Sequence, residues 1–315
     1  MEIEAQSGVA SWVGETIRSK LPMDLHTLIC KRDLRTGTAS LGTVVEALGD
    51  GVRLQVHDDG SLQPEDWDYL LEALPGAVKW ARATTEEQVL ERLSRHPACL
   101  RYRAASAMGF KLFDLPLLCG APIFSYVDSD IIFFKRIERL FPPDSESAIY
   151  LRSDEEGFCA PAPELHWKWK IPMVISLNAG LFQVPMELYD LDRIEWFLRE
   201  VNERKDVWRA RDLAEQTIWA MLAARRPAYH YSEQQFHCSR FKKLELTDDL
   251  VAVHCLYHLK PWTDKLVQRA KSTLGQGEPV SLAWERARLL NGLDVIVRRI
   301  QRACRKMVSQ GLPGE

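Results

Sequence analysis

Residues 124–134 read Phe124-Ser125-Tyr126-Val127-Asp128-Ser129-Asp130-Ile131-Ile132-Phe133-Phe134, an apolar stretch that two aspartates interrupt. The run from Ala121 to Val127 has the length and composition of a buried strand. Asp128 and Asp130 therefore follow the C-terminal end of a strand, which is where open α/β sheets bind ligands. A divalent cation would offset the cost of placing two carboxylates among apolar residues. A surface turn with two solvated aspartates is the alternative.

Length and composition are those of a soluble globular protein. The chain has 315 residues, of which 46% are hydrophobic and 27% charged, and its net charge of -3 gives no general attraction to nucleic acid. The segment from Met1 to Lys20 lacks the form of a signal peptide, and no window has the roughly 18–20 apolar residues of a membrane-spanning helix. The seven cysteines form no CxxC pair, which argues against a disulfide framework or a zinc site and favours the cytoplasm.

The segments around this stretch alternate between strand and helix patterns. The first half predicts strands at Leu25–Cys30, Val52–Val56 and Val78–Ala81, and helices at Thr38–Leu48, Pro64–Leu74, Thr85–Ser94 and Ala104–Pro116. The second half predicts strands at Ala148–Leu151, Met173–Leu177, Tyr229–Tyr231 and Leu250–His254, and helices at Ile137–Phe141, Met186–Asn202 and Leu213–Ala224. This alternation predicts an α/β fold with a mostly parallel sheet covered by helices.

The C-terminal segment has a different pattern. Gly275-Gln276-Gly277-Glu278-Pro279 suggests a boundary between a domain of residues 1–277 and an extension of residues 278–315. Leu282 to Val308 has apolar residues at helical spacing and an excess of arginine, which predicts an amphipathic helix or helix pair. Such a helix can lie on an anionic membrane surface. The alternative is a terminal helix that packs on its own domain.

Four short motifs occur in order along the chain. They are Asp128-Ser129-Asp130, Asn178-Ala179-Gly180, Glu215-Gln216, and His254 followed by Lys260-Pro261-Trp262. Together they resemble glycosyltransferase family eight, the glycogenin-like and lipopolysaccharide-galactosyltransferase-like group of GT-A fold nucleotide-sugar glycosyltransferases. The resemblance covers Lys111 to Trp262 and extends weakly back to Leu25. It implies a Rossmann-like GT-A domain that transfers a hexose from a nucleotide sugar, with UDP as the nucleotide, to a glycan or lipid-linked acceptor.

The resemblance also implies roles for individual residues. Asp128, Asp130 and His254 would bind Mn²⁺ (or Mg²⁺), and an imidazole beside two carboxylates favours Mn²⁺ somewhat. Lys260 would hold the donor diphosphate and Lys111 would contact the donor. The remaining assignments are Asn178, Ala179 and Gly180 in the sugar pocket, and Glu215 and Gln216 near the reacting carbon. From its place after an early strand, Asp58 is a further candidate for donor binding, with a solvated turn as the alternative.

Two residues depart from the family pattern. Tyr257 replaces a glycine that lets backbone approach the phosphates, and Glu215 replaces an aspartate. These departures support the alternative of a degenerate protein that binds a nucleotide sugar or a glycan without transferring it. A metal-dependent phosphotransferase or nucleotidyltransferase is a second alternative. It leaves the Asn178 and Lys260 motifs unexplained.

Other side chains have two interpretations each. Lys31 and Arg32 follow the first strand, where they could contact the base or form a surface cluster. Trp167 and Trp169, in the polar and aromatic segment from Ser153 to Lys170, could stack on an acceptor sugar or pack as a flap.

Overall fold

The chain was analysed as a computed structural model that describes residues 22–142, 147–153, 158–202, 211–239, 241–297 and 300. Within these ranges the protein is a mixed α/β fold built on two sheets. No helix in this part of the chain is both long enough and apolar enough to cross a membrane.

Eleven strands form the two sheets. They are β1 Met23–Ile29, β2 Val52–Asp58, β3 Val78–Trp80, β4 Ile123–Val127, β5 Ile131–Phe133, β6 Ala148–Arg152, β7 Leu177–Pro185, β8 Ala228–Tyr231, β9 Phe236–His237, β10 Ala252–His254 and β11 Trp284–Arg286. The central sheet has eight strands in the order β11-β8-β6-β7-β4-β1-β2-β3. Its β1–β2, β1–β4, β2–β3 and β6–β8 pairings are parallel, whereas β7 runs antiparallel to both of its neighbours.

Eight α-helices accompany the strands in the described ranges up to residue 274: α1 Leu34–Leu48, α2 Pro64–Ala73, α3 Arg82–Leu93, α4 Pro97–Ala105, α5 Leu115–Leu118, α6 Leu191–Phe197, α7 Arg211–Ala223 and α8 Thr263–Leu274. Residues with known helix-starting preferences mark the beginning of some of these helices. Pro64 is the first residue of α2, and the Asp66 carboxylate accepts a hydrogen bond of 2.9 Å from the backbone N–H of Gln63, which completes a capping box.

Alternating side chains of the strands supply two hydrophobic cores, one on each face of the sheet. In β1, Leu25 and Ile29 belong to the core that contains α1 and α8, and they are almost fully buried. In β4, Phe124 and Tyr126 belong to the opposite core. They pack there with Phe182 of β7 and Trp219 of α7. The period of two along each strand therefore fixes which side chains face each layer of helices.

The small sheet, in the order β5-β10-β9, positions the residues that follow β4. β5 begins one residue after Asp130 and pairs antiparallel with β10, so that Ile131 lies opposite His254. The backbone N–H of Cys255 also donates a hydrogen bond of 2.9 Å to the carbonyl oxygen of Asp130. This pairing brings a histidine that is distant in sequence next to the two aspartates.

The predicted strand Met173–Leu177 is wrong in position. Ser176 has a φ of 57°, which interrupts the extended backbone, and β7 begins at Leu177. Asn178, Ala179 and Gly180 therefore start a strand and do not follow one. Because β7 runs antiparallel to β4, its first residues still lie at the edge where β4 ends.

Two predicted helices are also corrected. The segment Ile137–Phe141 has no helix, because Ile137 forms a bridge with Val280. The helix predicted from Leu282 is interrupted: Trp284–Arg286 is the edge strand β11, and helix is present only from residue 292 to 297 and at residue 300. The rest of the predicted helix lies outside the described residues, and the domain division at residue 277 stays a prediction.

Candidate functional site

A cavity of about 1000 Å³ opens at the edge of the central sheet where β1, β4 and β6 end and β7 begins. Four stretches of the chain supply most of its polar wall. They are residues 28–33 at the end of β1 and just beyond it, Asp128–Asp130 after β4, Asn178–Gly180 at the start of β7, and Tyr257 and Lys260 after β10. Glu215 and Gln216 of α7 and Lys111 complete it. The cavity thus gathers residues of all four sequence motifs.

Asp128, Asp130 and His254 form a cluster of potential metal ligands. One donor atom from each lies within 4.8 Å of the others. The Nε2 atom of His254 is 3.0 Å from Asp130 Oδ1 and 3.6 Å from Asp128 Oδ2. Two carboxylates and one imidazole are a donor set that suits Mn²⁺, and Mg²⁺ less well. The side chains that the sequence proposed as ligands therefore meet at one point.

His254 and Asp130 shift each other's pKa. Burial alone would lower the pKa of His254, but Asp130 overrides this effect and holds it well above the ordinary value. Burial alone would raise the pKa of Asp130, yet His254, Lys260 and Lys111 hold it below the ordinary value. In the protein without metal, a proton on His254 thus compensates the two carboxylates, and a cation would take over this role.

Lys111 lies within a short π-helix, Phe110–Asp114, that points its side chain into the buried wall of the cavity. Its Nζ donates a hydrogen bond of 3.1 Å to Asp128 Oδ1 and lies 3.8 Å from Glu215 Oε1. Burial lowers the pKa of Lys111, but the two carboxylates more than offset this effect, so its pKa is raised. Lys111 is therefore a fixed positive charge beside the metal cluster.

Tyr126, which the sequence analysis did not select, holds Asp128 from the strand side. Its hydroxyl donates a hydrogen bond of 2.6 Å to Asp128 Oδ1. Burial and the nearby Asp128 raise the pKa of Tyr126 well above its ordinary value, so the hydroxyl keeps its proton. The signal was present in the sequence, because residues i and i+2 of an extended chain lie on one face.

Glu215 lies on α7 with its carboxyl group buried against the cavity. Its side chain is 3% exposed, and among the described residues no hydrogen-bond donor reaches its Oε1 atom. Burial raises the pKa of Glu215 to about 7, although Lys111 acts in the opposite direction. Gln216, the next residue, faces the carboxamide of Asn178, with its Oε1 3.4 Å from Asn178 Nδ2.

Lys260 and Tyr257 lie on the segment after β10, at the more open side of the cavity. Lys260 Nζ is 3.8 Å from Asp130 Oδ2, and its side chain is about half exposed. Tyr257 has a φ of 42°, a left-handed conformation that is costly for a residue with a Cβ atom, and it is 52% exposed. The backbone thus keeps the shape that a glycine would favour, while the tyrosine adds an aromatic ring to the cavity wall.

Asp58 does not line the cavity. Its carboxylate accepts a hydrogen bond of 2.6 Å from the backbone N–H of Arg82 and holds the start of α3. The neighbouring Asp59 lies on the cavity wall. The role of Asp58 in donor binding stays a prediction, and in this structure its carboxylate is engaged by the start of α3.

Other predicted residues divide between the cavity and its surroundings. Lys31 and Arg32 line the cavity, with Lys31 paired to Asp66 and Arg32 to Asp33. Trp167 and Trp169 are not among the lining residues. The sequence analysis did not select Ser153, which follows β6 and lies on the wall.

The chain resembles solved structures of glycosyltransferases. No family model matches the chain, and no curated protein matches it. The galactosyltransferase LgtC, in complex with donor and acceptor sugar analogs, superposes over 81% of this chain and 98% of its own with a TM-score of 0.51 and 14% identity. The chain has the GT-A fold. The GT-A prediction is therefore confirmed.

Further glycosyltransferase structures resemble this chain with lower TM-scores. The bifunctional glycosyltransferase WbbM superposes over 80% of this chain and 50% of its own, with 13% identity and a TM-score of 0.48. Mouse xyloside xylosyltransferase 1 superposes over 76% of this chain and 99% of its own, with 15% identity and a TM-score of 0.45. The likeness to LgtC, at 14% identity, shows the fold and leaves donor and acceptor to the chemistry of the site.

Proposed function

We propose that this GT-A protein is a metal-dependent glycosyltransferase that moves a hexose from a UDP-linked sugar to a glycan or glycolipid acceptor. One observation carries the proposal: Asp128, Asp130 and His254 converge in the same cavity as Lys111 and Lys260. Three metal ligands beside two cations form an arrangement that suits a diphosphate leaving group. The alternative of a phosphotransferase leaves the amide-rich wall at Asn178 and Gln216 without a role.

The donor set determines what a bound cation would supply. Asp128, Asp130 and His254 would hold a divalent ion, which would supply positive charge to offset the negative charge of a departing nucleoside diphosphate. The imidazole favours Mn²⁺ over Mg²⁺. Lys260, on the exposed side, would contact a phosphate oxygen, and Lys111 would fix the orientation of Asp128 through its hydrogen bond.

The buried end of the cavity supports the assignment of the sugar pocket. Asn178, Ala179, Gly180, Glu215 and Gln216 all line the cavity, and Ala179, Gly180 and Glu215 are buried. Amide and carboxyl groups in fixed positions are suited to bind sugar hydroxyls, since each donor or acceptor has a defined direction. We assign Glu215 and Gln216 to the region of the reacting sugar carbon.

Two features support a reaction in the cytoplasm at a membrane: the free cysteines and the exposed residues near the C-terminus. The six cysteines of the described ranges are free thiols, as expected in a reducing compartment. Leu293, Ile296, Val297 and Ile300 are exposed near the C-terminus, and the sequence continues with Arg302, Arg305 and Lys306. Apolar and basic residues in this combination suit an anionic membrane surface, where a lipid-linked acceptor would be found.

Release of nucleoside diphosphate tests the proposal. The protein is incubated with Mn²⁺ and a panel of nucleotide sugars, and free nucleoside diphosphate is measured with and without candidate acceptors. We expect release from a UDP-sugar that is abolished in Asp130→Ala and retained in Asp68→Ala, which changes an exposed aspartate of α2. Tight donor binding without release under any acceptor would support the degenerate alternative, for which the left-handed Tyr257 is the specific observation.

A further inference from the structure

Asn178 makes a contact that its predicted place in the sugar pocket does not explain. Its Oδ1 atom lies 3.1 Å from Nδ1 of His254, on the side of the imidazole that faces away from the two aspartates. The same Oδ1 atom accepts a hydrogen bond of 2.9 Å from the backbone N–H of Gly180. The side chain is thus tied both to its own strand, β7, and to a metal-ligand candidate on β10.

The hydrogen bond from Gly180 fixes the orientation of the Asn178 carboxamide. A backbone N–H can only donate, so the atom that faces it must be the oxygen and not the nitrogen. An oxygen in this position can only accept from Nδ1 of His254. The imidazole must therefore carry a hydrogen on Nδ1, so Nε2, beside Asp128 and Asp130, is the nitrogen that would give up its proton to bind a cation.

Gly180 leaves the space that this arrangement needs. A Cβ atom at this position would lie 2.7 Å from Nδ1 of His254 and 2.9 Å from Asn178 Oδ1, and it would overlap the Cε1 atom of the imidazole. The backbone of β7 and the imidazole are therefore in direct contact. Cys238 Sγ also lies 3.7 Å from Nδ1, and a thiol sulfur is a weaker acceptor than a carboxamide oxygen.

We propose that Asn178 is a positioning residue for the metal site: it holds His254 in the Nδ1–H tautomer and presents Nε2 to the cation. The inference rests on the metal site of the proposed function and adds a residue that does not touch the cation. A partner on the second imidazole nitrogen fixes ring orientation and raises ligand basicity, and its loss typically costs about 10–100-fold in metal affinity. Asn178 acts through His254.

The test measures the Mn²⁺ affinity of the full-length protein by electron paramagnetic resonance of free Mn²⁺, without any nucleotide. We expect Asn178→Leu to weaken binding about 10–100-fold. Asn178→Asp should bind at least as tightly as the wild type, because a carboxylate is a stronger acceptor for Nδ1–H. Melting temperatures of the variants establish that each is folded, and Asn178→Ala replaces Asn178→Leu if the leucine is not accommodated.

Two control variants separate this role from simpler ones. Gln216→Glu adds a carboxylate to the same cavity away from Nδ1, and it should strengthen Mn²⁺ binding less than Asn178→Asp does. Cys238→Ala removes the thiol, and it should cost less affinity than Asn178→Leu. A larger loss in Cys238→Ala would assign the orientation of His254 to the thiol and overturn the inference.

The remaining outcomes distinguish the two proposals. If Asp130→Ala abolishes Mn²⁺ binding while Asn178→Leu and Asn178→Asp match the wild type, the metal site stands and the role of Asn178 is refuted. If the wild type binds no Mn²⁺, the metal site itself is refuted, and the inference that rests on it is refuted too.

Discussion

The buried carboxyl group of Glu215 predicts a pH-dependent stability that a single substitution removes. Its pKa is raised to about 7 in the folded protein, mainly by burial, whereas its ordinary value is 4.5. Between these two values the unfolded chain has lost the proton and the native protein still binds it. The free energy of unfolding therefore falls as the pH rises from about 4.5 to about 7. Above about pH 7, Glu215 causes no further change in it.

The two pKa values give the magnitude. Since one pH unit corresponds to about 1.4 kcal/mol, the interval between 4.5 and about 7 is worth about 3 kcal/mol of unfolding free energy. Glu215→Gln keeps the shape of the neutral side chain and cannot ionise. We expect the variant to match the wild type near pH 4 and to exceed it by about 3 kcal/mol near pH 8.

Urea denaturation of the metal-free protein at pH 4 and pH 8 measures this difference. Glu72→Gln, on an exposed position of α2, serves as the matched control. The control should show the same difference from the wild type at both pH values. If Glu215→Gln also shows the same difference at pH 4 and pH 8, the explanation by burial of the Glu215 carboxyl group is refuted.

Three further substitutions test the site. Gly180→Ala should lower Mn²⁺ affinity about tenfold or more, because the added Cβ would displace His254. Gly120→Ala, where no atom lies near the added Cβ, should leave Mn²⁺ affinity unchanged. Equal affinities of the two variants would refute the close contact between Gly180 and His254. Tyr257→Gly should raise unfolding free energy by about 1 kcal/mol by relieving the left-handed backbone, and a lower melting temperature would contradict this. Lys260→Ala should weaken binding of UDP in calorimetry more than binding of Mn²⁺, because Lys260 lies outside the ligand cluster.

The sequence predicted the strand that carries the aspartates because its signal is local. An apolar run ends at Val127 and two carboxylates follow, and β4 ends at that residue. The site also depends on the pairing of β5 with β10, a contact between residues more than a hundred positions apart. Periodicity carries no information about this pairing, and only the resemblance to a known family brought His254 to Asp128 and Asp130.

Other features could not be predicted because they depend on single backbone angles or on tertiary contacts. Ser176 adopts a positive φ, which moves the start of β7 to Leu177, and nothing in its side chain favours that conformation. The cap that Asp58 forms on α3 depends on where β2 ends in space. The contact of Asn178 with His254 joins two motifs that the sequence analysis assigned to separate roles.

Calorimetric titration of the protein with UDP, in the presence and absence of Mn²⁺, tests the central claim most directly. If Asp128, Asp130 and His254 hold a cation that UDP binding requires, UDP should bind the wild type measurably only with Mn²⁺, and Asp130→Ala should not bind UDP measurably even with Mn²⁺. UDP that binds the wild type equally well with and without Mn²⁺ would contradict the account.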